Sequence, residues 1–357
     1  MERDVRYKAF WAPLVLGAAM ISGATAAEPI FQSPLALPAA KSSLALRAPL
    51  KALALAGKRL VTAGQRGHIL YSDDGKNWTQ AEVPVSSDLT ALYFPSAQQG
   101  WAVGHEGVIL HTADGGATWR KQLDGKAAAD LLVKHYDKPS NAGDPKAQRL
   151  QQDAEMFAAQ GADKPFLDVW FEDDKRGFAI GAFNLIVRTE DGGQSWTPWL
   201  DRVDNPKALH LYAIRPAGGT LFIAGEQGLV LKYDRAQRRF TSVELPYQGT
   251  LFGVTGTENM ALVYGLRGNA YRSTDGGASW IKVDTGVNAG ITSGMVRADG
   301  SVVLASQAGQ VLVSSDNGTN FNRAKVITAA PAFAMADTGN GAIALAGIGG
   351  VRVEALK

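Results

Sequence analysis

A segment of about 40 residues recurs along the chain, and it restricts the possible folds more than any other feature. Each copy holds short apolar strands separated by Gly-containing turns, and it ends near an aromatic residue. The closing aromatics are Trp78, Trp119, Trp196, Phe240, Trp280 and Phe321. The interval from Trp119 to Trp196 is about twice the others, which indicates an insertion. Several short strands in each repeat of this length predict the blades of an all-β propeller.

The turn before each closing aromatic has the pattern Ser/Thr-x-Asp-x-Gly-x-x-Trp/Phe, known as the Asp-box. Its members are Asp73, Gly75 and Trp78; Asp114, Gly116 and Trp119; Asp191, Gly193 and Trp196; Asp275, Gly277 and Trp280; and Asp316, Gly318 and Phe321. In the first copy Tyr71 replaces the Ser/Thr. In the copy ending at Phe240, Arg235 and Gln237 replace the Asp and Gly.

The chemistry of this turn favours a structural role. An Asp carboxylate can accept hydrogen bonds from the turn's own N–H groups, and Gly permits positive φ. The aromatic side chain fills the gap between adjacent blades. The alternative is that the aspartates are catalytic or bind metal. Because the turns lie on separate blades and cannot converge on one site, we predict neither catalysis nor a metal.

Six copies reach Phe321, and a seventh begins near Pro331 but holds sequence for only three strands. A propeller closes into a ring to remove its free sheet edges. We therefore predict seven blades in a single domain, residues 28–357, with a strand from residues 28–46 completing the last blade.

Residues 1–27 have the features of a secretory signal peptide. Arg3, Arg6 and Lys8 precede an apolar run over residues 10–21, and Ala24-Thr25-Ala26 gives a small-residue cleavage site. The alternative is a retained membrane anchor. The chain has no cysteine, which excludes disulfides and a lipid-modified cysteine, and its net charge of +2 gives no reason to expect nucleic-acid binding. We predict an exported protein in a bacterial periplasm.

The insertion spans residues 125–165 and is predicted to form two helices, which we place between the third and fourth blades. The second helix has Asp144-Pro145 as a start signal and Gly161 as a stop signal. Its apolar stripe comprises Ala147, Leu150, Ala154 and Phe157. The helices either pack on the rim of the propeller or dock a partner.

Blade topology places the turns between second and third strands on the face opposite the Asp-boxes. The link that carries the insertion lies on the same face as these turns. The turns contain Arg66 and Arg267, each beside a Gly, and the pair His105 and Glu106. Arginine can bind a carboxylate through two parallel hydrogen bonds. We predict a partner-binding surface from these four residues together with Leu150 and Phe157 of the helices; the alternative for each arginine is an ordinary solvated side chain.

The segments GQRGHILYSDDGKNW, GWAVGHEGVILHTADGGATW and YGLRGNAYRSTDGGASW resemble the photosystem II stability/assembly factor family. That resemblance implies an exported seven-bladed Asp-box propeller that binds a membrane protein during assembly through an arginine-lined face. Similar proteins in non-photosynthetic bacteria are associated with exporters of the resistance-nodulation-division type. The helical insertion departs from the photosynthetic pattern and favours such a client.

The competing interpretation is an enzyme, a sialidase-like or other glycoside hydrolase, or a carbohydrate-binding Asp-box protein. The Arg-Ile-Pro signature of sialidases is absent, and Arg215-Pro216 lies in the middle of the chain. Glu106 and Glu226 are in turns of separate blades, whereas a glycosidase needs paired carboxylates. We therefore predict a non-catalytic protein without cofactor or small-molecule substrate, monomeric alone, whose partner is a membrane protein or complex.

Overall fold

A computed structural model describes residues 32–137, 143–339 and 341–356. The predicted signal peptide, residues 1–27, lies outside the described residues. In the described part, strands form seven antiparallel sheets, and each sheet is a simple meander of consecutive strands.

The first four sheets contain four strands each. The first sheet has β1 (Leu50–Ala56), β2 (Arg59–Gly64), β3 (Ile69–Ser72) and β4 (Thr79–Gln80). The second has β5 (Leu89–Tyr93), β6 (Gly100–Gly104), β7 (Ile109–Thr112) and β8 (Arg120–Leu123). The third has β9 (Phe166–Phe171), β10 (Gly177–Gly181), β11 (Ile186–Thr189) and β12 (Thr197–Pro198). The fourth has β13 (Leu211–Ala217), β14 (Thr220–Gly225), β15 (Val230–Asp234) and β16 (Arg239–Val243).

The last three sheets repeat the pattern, except that the seventh has three strands. The fifth sheet has β17 (Leu251–Thr257), β18 (Met260–Gly265), β19 (Ala270–Ser273) and β20 (Ile281–Val283). The sixth has β21 (Ile291–Val296), β22 (Val302–Ser306), β23 (Val311–Ser314) and β24 (Asn322–Arg323). The seventh has β25 (Ala332–Asp337), β26 (Ala342–Gly347) and β27 (Gly350–Ala355).

The first strands of the seven sheets form a ring. Each first strand contacts the first strand of the next sheet, and β25 of the seventh sheet contacts β1 of the first. The second strands are almost wholly buried because both faces of each sheet pack against neighbouring sheets. Apolar clusters combine residues of adjacent sheets, as where Val61 and Ala81 of the first sheet meet Leu110 and Trp119 of the second. This arrangement is consistent with the predicted seven-bladed propeller.

Hydrogen bonds in the polar turns follow the predicted pattern. Asp114 Oδ1 accepts hydrogen bonds from the N–H groups of Ala117 and Thr118, each at 3.0 Å, and from the Thr112 hydroxyl at 2.7 Å. Asp191, Asp275 and Asp316 accept equivalent bonds in their own turns. The carboxylates are therefore engaged in hydrogen bonds within their own turns.

The assignment of Asp73 in the first copy was wrong. Here Asp74 accepts hydrogen bonds from the Ser72 hydroxyl and from the N–H groups of Lys76 and Asn77. The turn is one residue shorter than the others, so counting back from Trp78 at a fixed spacing selects the wrong aspartate. Asp73 forms an ion pair with Arg59, with 2.7 Å between Oδ1 and Nε.

The closing aromatics differ in burial. Trp119, Trp196, Phe240 and Trp280 are buried, whereas Trp78 and Phe321 are half-buried. Trp119 contacts Phe94 edge to face with 6.0 Å between ring centroids, and its Nε1 donates to the Gly116 carbonyl at 3.0 Å. The indole thus links its own turn to the apolar layer between two sheets.

The predicted fourth strand of the last blade is wrong for residues 32–46, while residues 28–31 lie outside the described part. Pro34–Ala36 and Ala45–Arg47 form 3₁₀ turns. The segment follows the exit of the first sheet, where Ala39 N–H donates to the Val83 carbonyl at 3.0 Å and Ser86 N–H donates to the Pro34 carbonyl at 2.9 Å. Pro34 and Pro38 lack the N–H groups that a ladder requires, which explains the absence of a strand here.

Two helices connect the second sheet to the third, so our numbering of the flanking blades as third and fourth was wrong. Helix α1 spans Gly125–Tyr136, and α2 spans Pro145–Gln160. Asp124 and Asp144 cap their N-termini, and Gly161 ends α2 with φ of 77°. The cap and stop signals that were predicted for α2 are confirmed.

Candidate functional site

The turns between second and third strands lie together on one face of the ring, which we call the turn face. Five of these turns are the 3₁₀ turns Gln65–Gly67, His105–Gly107, Ala182–Asn184, Glu226–Gly228 and Leu266–Gly268. Helix α1 contacts the His105–Gly107 turn. The insertion therefore lies beside the turn face, as the topology predicted.

Each of these five turns holds a residue other than glycine in the left-handed backbone region at its centre. They are Arg66, Glu106, Phe183, Gln227 and Arg267, with φ between 52° and 56°. This conformation is uncommon for such side chains and costs about 1–3 kcal/mol at each position. Strained residues that recur at one position of successive blades are candidates for function.

The predicted binding residues differ in accessibility. Arg66 and Arg267 are exposed, and neither forms an ion pair within the described part of the chain. His105 is exposed, whereas Glu106 is half-buried and its Oε2 is buried without a hydrogen-bond partner among the described residues. The two arginines are thus the predicted turn residues with charges free to meet a partner.

The apolar stripe of α2 faces inward, as its spacing predicted. Ala154 and Phe157 are buried, and Leu150 is half-buried against the core that the helices share with the third sheet. The Tyr136 hydroxyl of α1 donates to Asp201 Oδ1 at 3.0 Å and fixes the helix pair on the propeller. Burial raises the pKa of the Tyr136 hydroxyl. Most of the Phe157 side chain is therefore unavailable to a partner. Only the part of its ring that lines a groove can be contacted.

That groove runs between α2 and the third and fourth sheets and has a volume of about 750 Å³. Its apolar walls include Leu150, Met156, Phe157, Phe183 and Pro206. The Met156 and Phe183 side chains are 47% and 46% exposed. Lys164 Nζ lies 5.4 Å from the ring centroids of both phenylalanines, which places a cation at the apolar surface. The sequence analysis did not include Phe183 among the candidate residues. The only feature that marks it in the sequence is a bulky side chain at the centre of a turn.

A chain of aromatic rings connects the groove to the centre of the ring. Phe183 contacts His210 with 4.5 Å between centroids, His210 lies 6.2 Å from Tyr212, and Tyr212 lies 5.9 Å from Phe252. The backbone N–H of His210 donates to Glu226 Oε2 at 2.9 Å, which holds the histidine in place. Rings of this kind can contribute large contact areas to a protein interface.

The first strands enclose a central channel of about 450 Å³. Each first strand has an irregularity in its pairing just after its first residue, at the end nearest the turn face. The residues at this position all line the channel, and they are Lys51, Thr90, Leu167, Tyr212, Phe252, Thr292 and Phe333. The mouth is therefore partly aromatic, with one cation.

An ion pair inside the channel was missed by sequence reasoning. Asp168 of β9 is 4% exposed, and its Oδ2 lies 2.6 Å from Arg215 Nη1 of β13. Burial raises the pKa of Asp168, while the charge of Arg215 and hydrogen bonds from two backbone N–H groups act in the opposite direction. The available signal was one charged residue within each of two otherwise apolar strands, FLDVWF and LYAIRPA.

Among the described residues, no group of three His, Asp or Glu side chains could hold a metal ion. No helix in this part of the chain is long and apolar enough to cross a membrane. The candidate site comprises the two exposed arginines, the groove, the aromatic chain and the channel.

Comparison with known families gives one match over more than half of the chain. Residues 70–137 and 151–301 match the model of the photosynthesis system II assembly factor YCF48. The matched ranges include four of the five 3₁₀ turns of the turn face, all but the first, and most of α2.

Curated relatives match over part of their length. The chain is 29% identical to the photosystem II assembly lipoprotein Ycf48 of Synechococcus sp. (strain CC9902) over 43% of this chain and 46% of the relative. It is 31% identical to the Ycf48 lipoprotein of Prochlorococcus marinus over 42% of this chain and 45% of the relative. The aligned stretches thus span just under half of these relatives.

Solved structures support the fold. YCF48 bound to a D1 peptide has a TM-score of 0.62 at 16% identity and covers 87% of this chain and 94% of that chain. YCF48 from Cyanidioschyzon merolae has a TM-score of 0.59 at 16% identity and covers 87% of this chain and 96% of that chain. The WD40 propeller domain of Doa1 scores 0.62 at 8% identity over 91% of this chain and 97% of that chain, so the likeness extends to propellers outside the matched family.

Proposed function

The chain belongs to the photosystem II assembly factor YCF48 family, and on this premise we propose that it is a non-catalytic factor that binds a membrane protein during assembly through its turn face. The observation that carries the proposal is the repeated left-handed turn, which places Arg66 and Arg267 at equivalent exposed positions of the first and fifth sheets. The relatives' names describe assembly of photosystem II, and the membrane client of this chain is our inference.

The two arginines suit an anionic surface on a client. Within the described residues neither guanidinium has an ion-pair partner, so a client carboxylate would meet little competition. Hydrogen-bonded charge pairs that become buried at an interface cost about 2–5 kcal/mol when one partner is truncated. Exposed pairs contribute about 0–1 kcal/mol. The arginines therefore matter for capture only if the client covers them.

Apolar side chains on the same face supply the second part of an interface. Phe183, Leu266 and Ile348 of the turns are between 38% and 58% exposed, and Met156 of α2 is 47% exposed. Protein interfaces combine such apolar anchors with arginine. The groove beside α2 supports the proposal that the insertion docks the client, with Leu150 and Phe157 as part of its walls.

We place the protein in the periplasm, or in an equivalent exported compartment, from its predicted signal peptide. The cyanobacterial relatives are named lipoproteins, whereas this chain has no cysteine to carry a lipid. We propose a freely exported factor whose client is a membrane exporter of the resistance-nodulation-division type.

Capture from solubilised membranes tests the proposal. Arg66→Ala combined with Arg267→Ala should weaken capture of the client, a membrane protein identified by mass spectrometry, by about tenfold or more. The matched control is Lys76→Ala combined with Arg238→Ala, because Arg238 also has a left-handed conformation, with φ of 52°, in a turn of the opposite face. Both double variants should unfold at the wild-type temperature. Normal capture by the first variant and loss by the second would assign binding to the Asp-box face.

The competing function is glycoside hydrolysis. Glu106 Oε2 is buried without a partner among the described residues, which is the one feature that favours this reading. Purified protein should show no hydrolysis of sialosides or other glycosides. Activity that is lost on Glu106→Gln or Glu226→Gln would replace the assembly proposal.

A further inference from the structure

The Asp168–Arg215 pair uses only part of the arginine. Arg215 Nη1 donates to Asp168 Oδ2 at 2.6 Å, to the Ile214 carbonyl at 2.6 Å and to the Val169 carbonyl at 3.4 Å. Asp168 is fully engaged as well, because it also accepts hydrogen bonds from Val169 N–H at 2.9 Å and Ile214 N–H at 2.8 Å. These bonds fix the guanidinium through one of its three nitrogens.

The remaining edge of the guanidinium is free. Among the described residues no hydrogen bond uses Arg215 Nε or Nη2, and neither atom is buried without a partner. The side chain is 33% exposed and lines the central channel. Nε and Nη2 together form an edge that can donate two parallel hydrogen bonds to one carboxylate.

The surroundings of the free edge combine a cation with aromatic rings. The charged residues that line the channel are Lys51, Arg215 and Asp168. Lys51 Nζ lies 3.7 Å from Asp88 Oδ2, so the cation that can meet an entering anion is Arg215. The walls also contain Tyr93, whose ring lies 5.7 Å from the Arg215 guanidinium carbon. A fixed cation inside a channel attracts an entering anion more strongly than the same cation on an open surface, because the channel focuses its field.

We propose that the central channel is a carboxylate-binding site in which Arg215 receives the carboxylate through Nε and Nη2 while Asp168 positions the guanidinium. The carboxylate belongs either to a small free acid or to the C-terminal end of a peptide. The channel volume of about 450 Å³ admits either a small aromatic acid or a few terminal residues. This site goes beyond the proposed function, because it needs neither Arg66 nor Arg267.

Fluorine NMR of the mature protein tests the site with 4-fluorobenzoate as the probe and 4-fluorobenzamide as its uncharged counterpart. The benzoate should bind and the benzamide should not. Arg215→Lys should weaken benzoate binding by about tenfold or more, because lysine keeps the charge opposite Asp168 but lacks the two-nitrogen edge. Arg238→Lys, which changes an exposed arginine in a turn of the Asp-box face, should leave benzoate binding unchanged.

Unchanged binding by Arg215→Lys, equal binding of the benzamide, or no binding of the benzoate to the wild type would overturn the proposal. The last two results use wild-type protein and hold even if the variant fails to fold. A short apolar peptide then separates the two sources of the carboxylate. Displacement of the benzoate by the free-acid peptide, but not by its C-terminal amide, identifies a chain end; failure of both to displace it identifies a small acid.

Discussion

Single side chains at the closing-aromatic position connect sequence to stability most directly. Trp119 is 6% exposed and packs among apolar side chains of the first and second sheets. The turn aspartates, by contrast, are satisfied by bonds within their own turns. Within one motif, the tryptophan therefore stabilises the packing between two sheets, whereas the aspartate stabilises only its own turn.

Trp119→Ala should lower the free energy of unfolding by about 3–5 kcal/mol, because it leaves a cavity between two sheets. Asp114→Asn should have a smaller effect, since an amide oxygen can still accept part of the turn's hydrogen bonds. Chemical denaturation of both variants measures the difference. An unchanged stability for Trp119→Ala would mean that the ring does not fill the space between sheets.

The turn carboxylates also predict a pH dependence. Hydrogen bonds from the Ser279 hydroxyl and N–H hold the pKa of Asp275 well below its usual value of 3.8. The stability that this bonding adds is fully present above that value and is lost as the pH falls below it. Wild type should be more stable than Asp275→Asn at about pH 6, and the difference should shrink at about pH 3. A difference that stays constant between these two pH values would contradict the assignment.

Strands and helices were predictable where local chemistry decides them. The caps Asp144 and Gly161 fixed the ends of α2, and the repeat of about 40 residues indicated the sheets. The N-terminal segment was not predictable, because tertiary contacts decide its partner: Ala39 N–H donates to the Val83 carbonyl in the link that follows the first sheet. A short apolar run looks like a strand in sequence whichever sheet it reaches.

The N-terminal segment nevertheless packs against the seventh sheet, where Ala45 is buried in one apolar cluster with Ala344 and Ala346. A Cβ on Gly350, which has φ of 97°, would lie 1.9 Å from the Leu46 carbonyl oxygen. At the equivalent glycine of the first sheet, Gly67, the nearest atom would be the carbonyl oxygen of Val85 in the link to the second sheet. Residues around Leu46 thus occupy the place of a link between blades, leading into β1.

Gly350→Ala should lower the free energy of unfolding by about 1–3 kcal/mol through backbone strain and displacement of this segment. Gly349→Ala is the matched control, because a Cβ there meets nothing within 4 Å and the backbone is not left-handed. The control should be nearly neutral. Equal stabilities for the two variants, measured by thermal and urea unfolding, would show that the Leu46 contact does not hold the segment.

The ring of seven sheets determines which residues can act together. Arg66 and Arg267 belong to sheets far apart in sequence, and only the ring places their turns on one face. Their positions in these turns were predictable because a turn arginine beside a glycine is visible in sequence. Arg215 was not, because its partner Asp168 lies in another sheet and the channel exists only once the ring is closed.

The proposed working face can be tested by photo-cross-linking in cells. p-Benzoylphenylalanine introduced at Ala308, an exposed position in the sixth turn of the turn face, should form a covalent product with an integral membrane protein. The same group introduced at Lys76, an exposed position on the Asp-box face, should form none. Cross-linking to a membrane protein from Lys76 and not from Ala308 would contradict the assignment of the turn face as the client-binding surface.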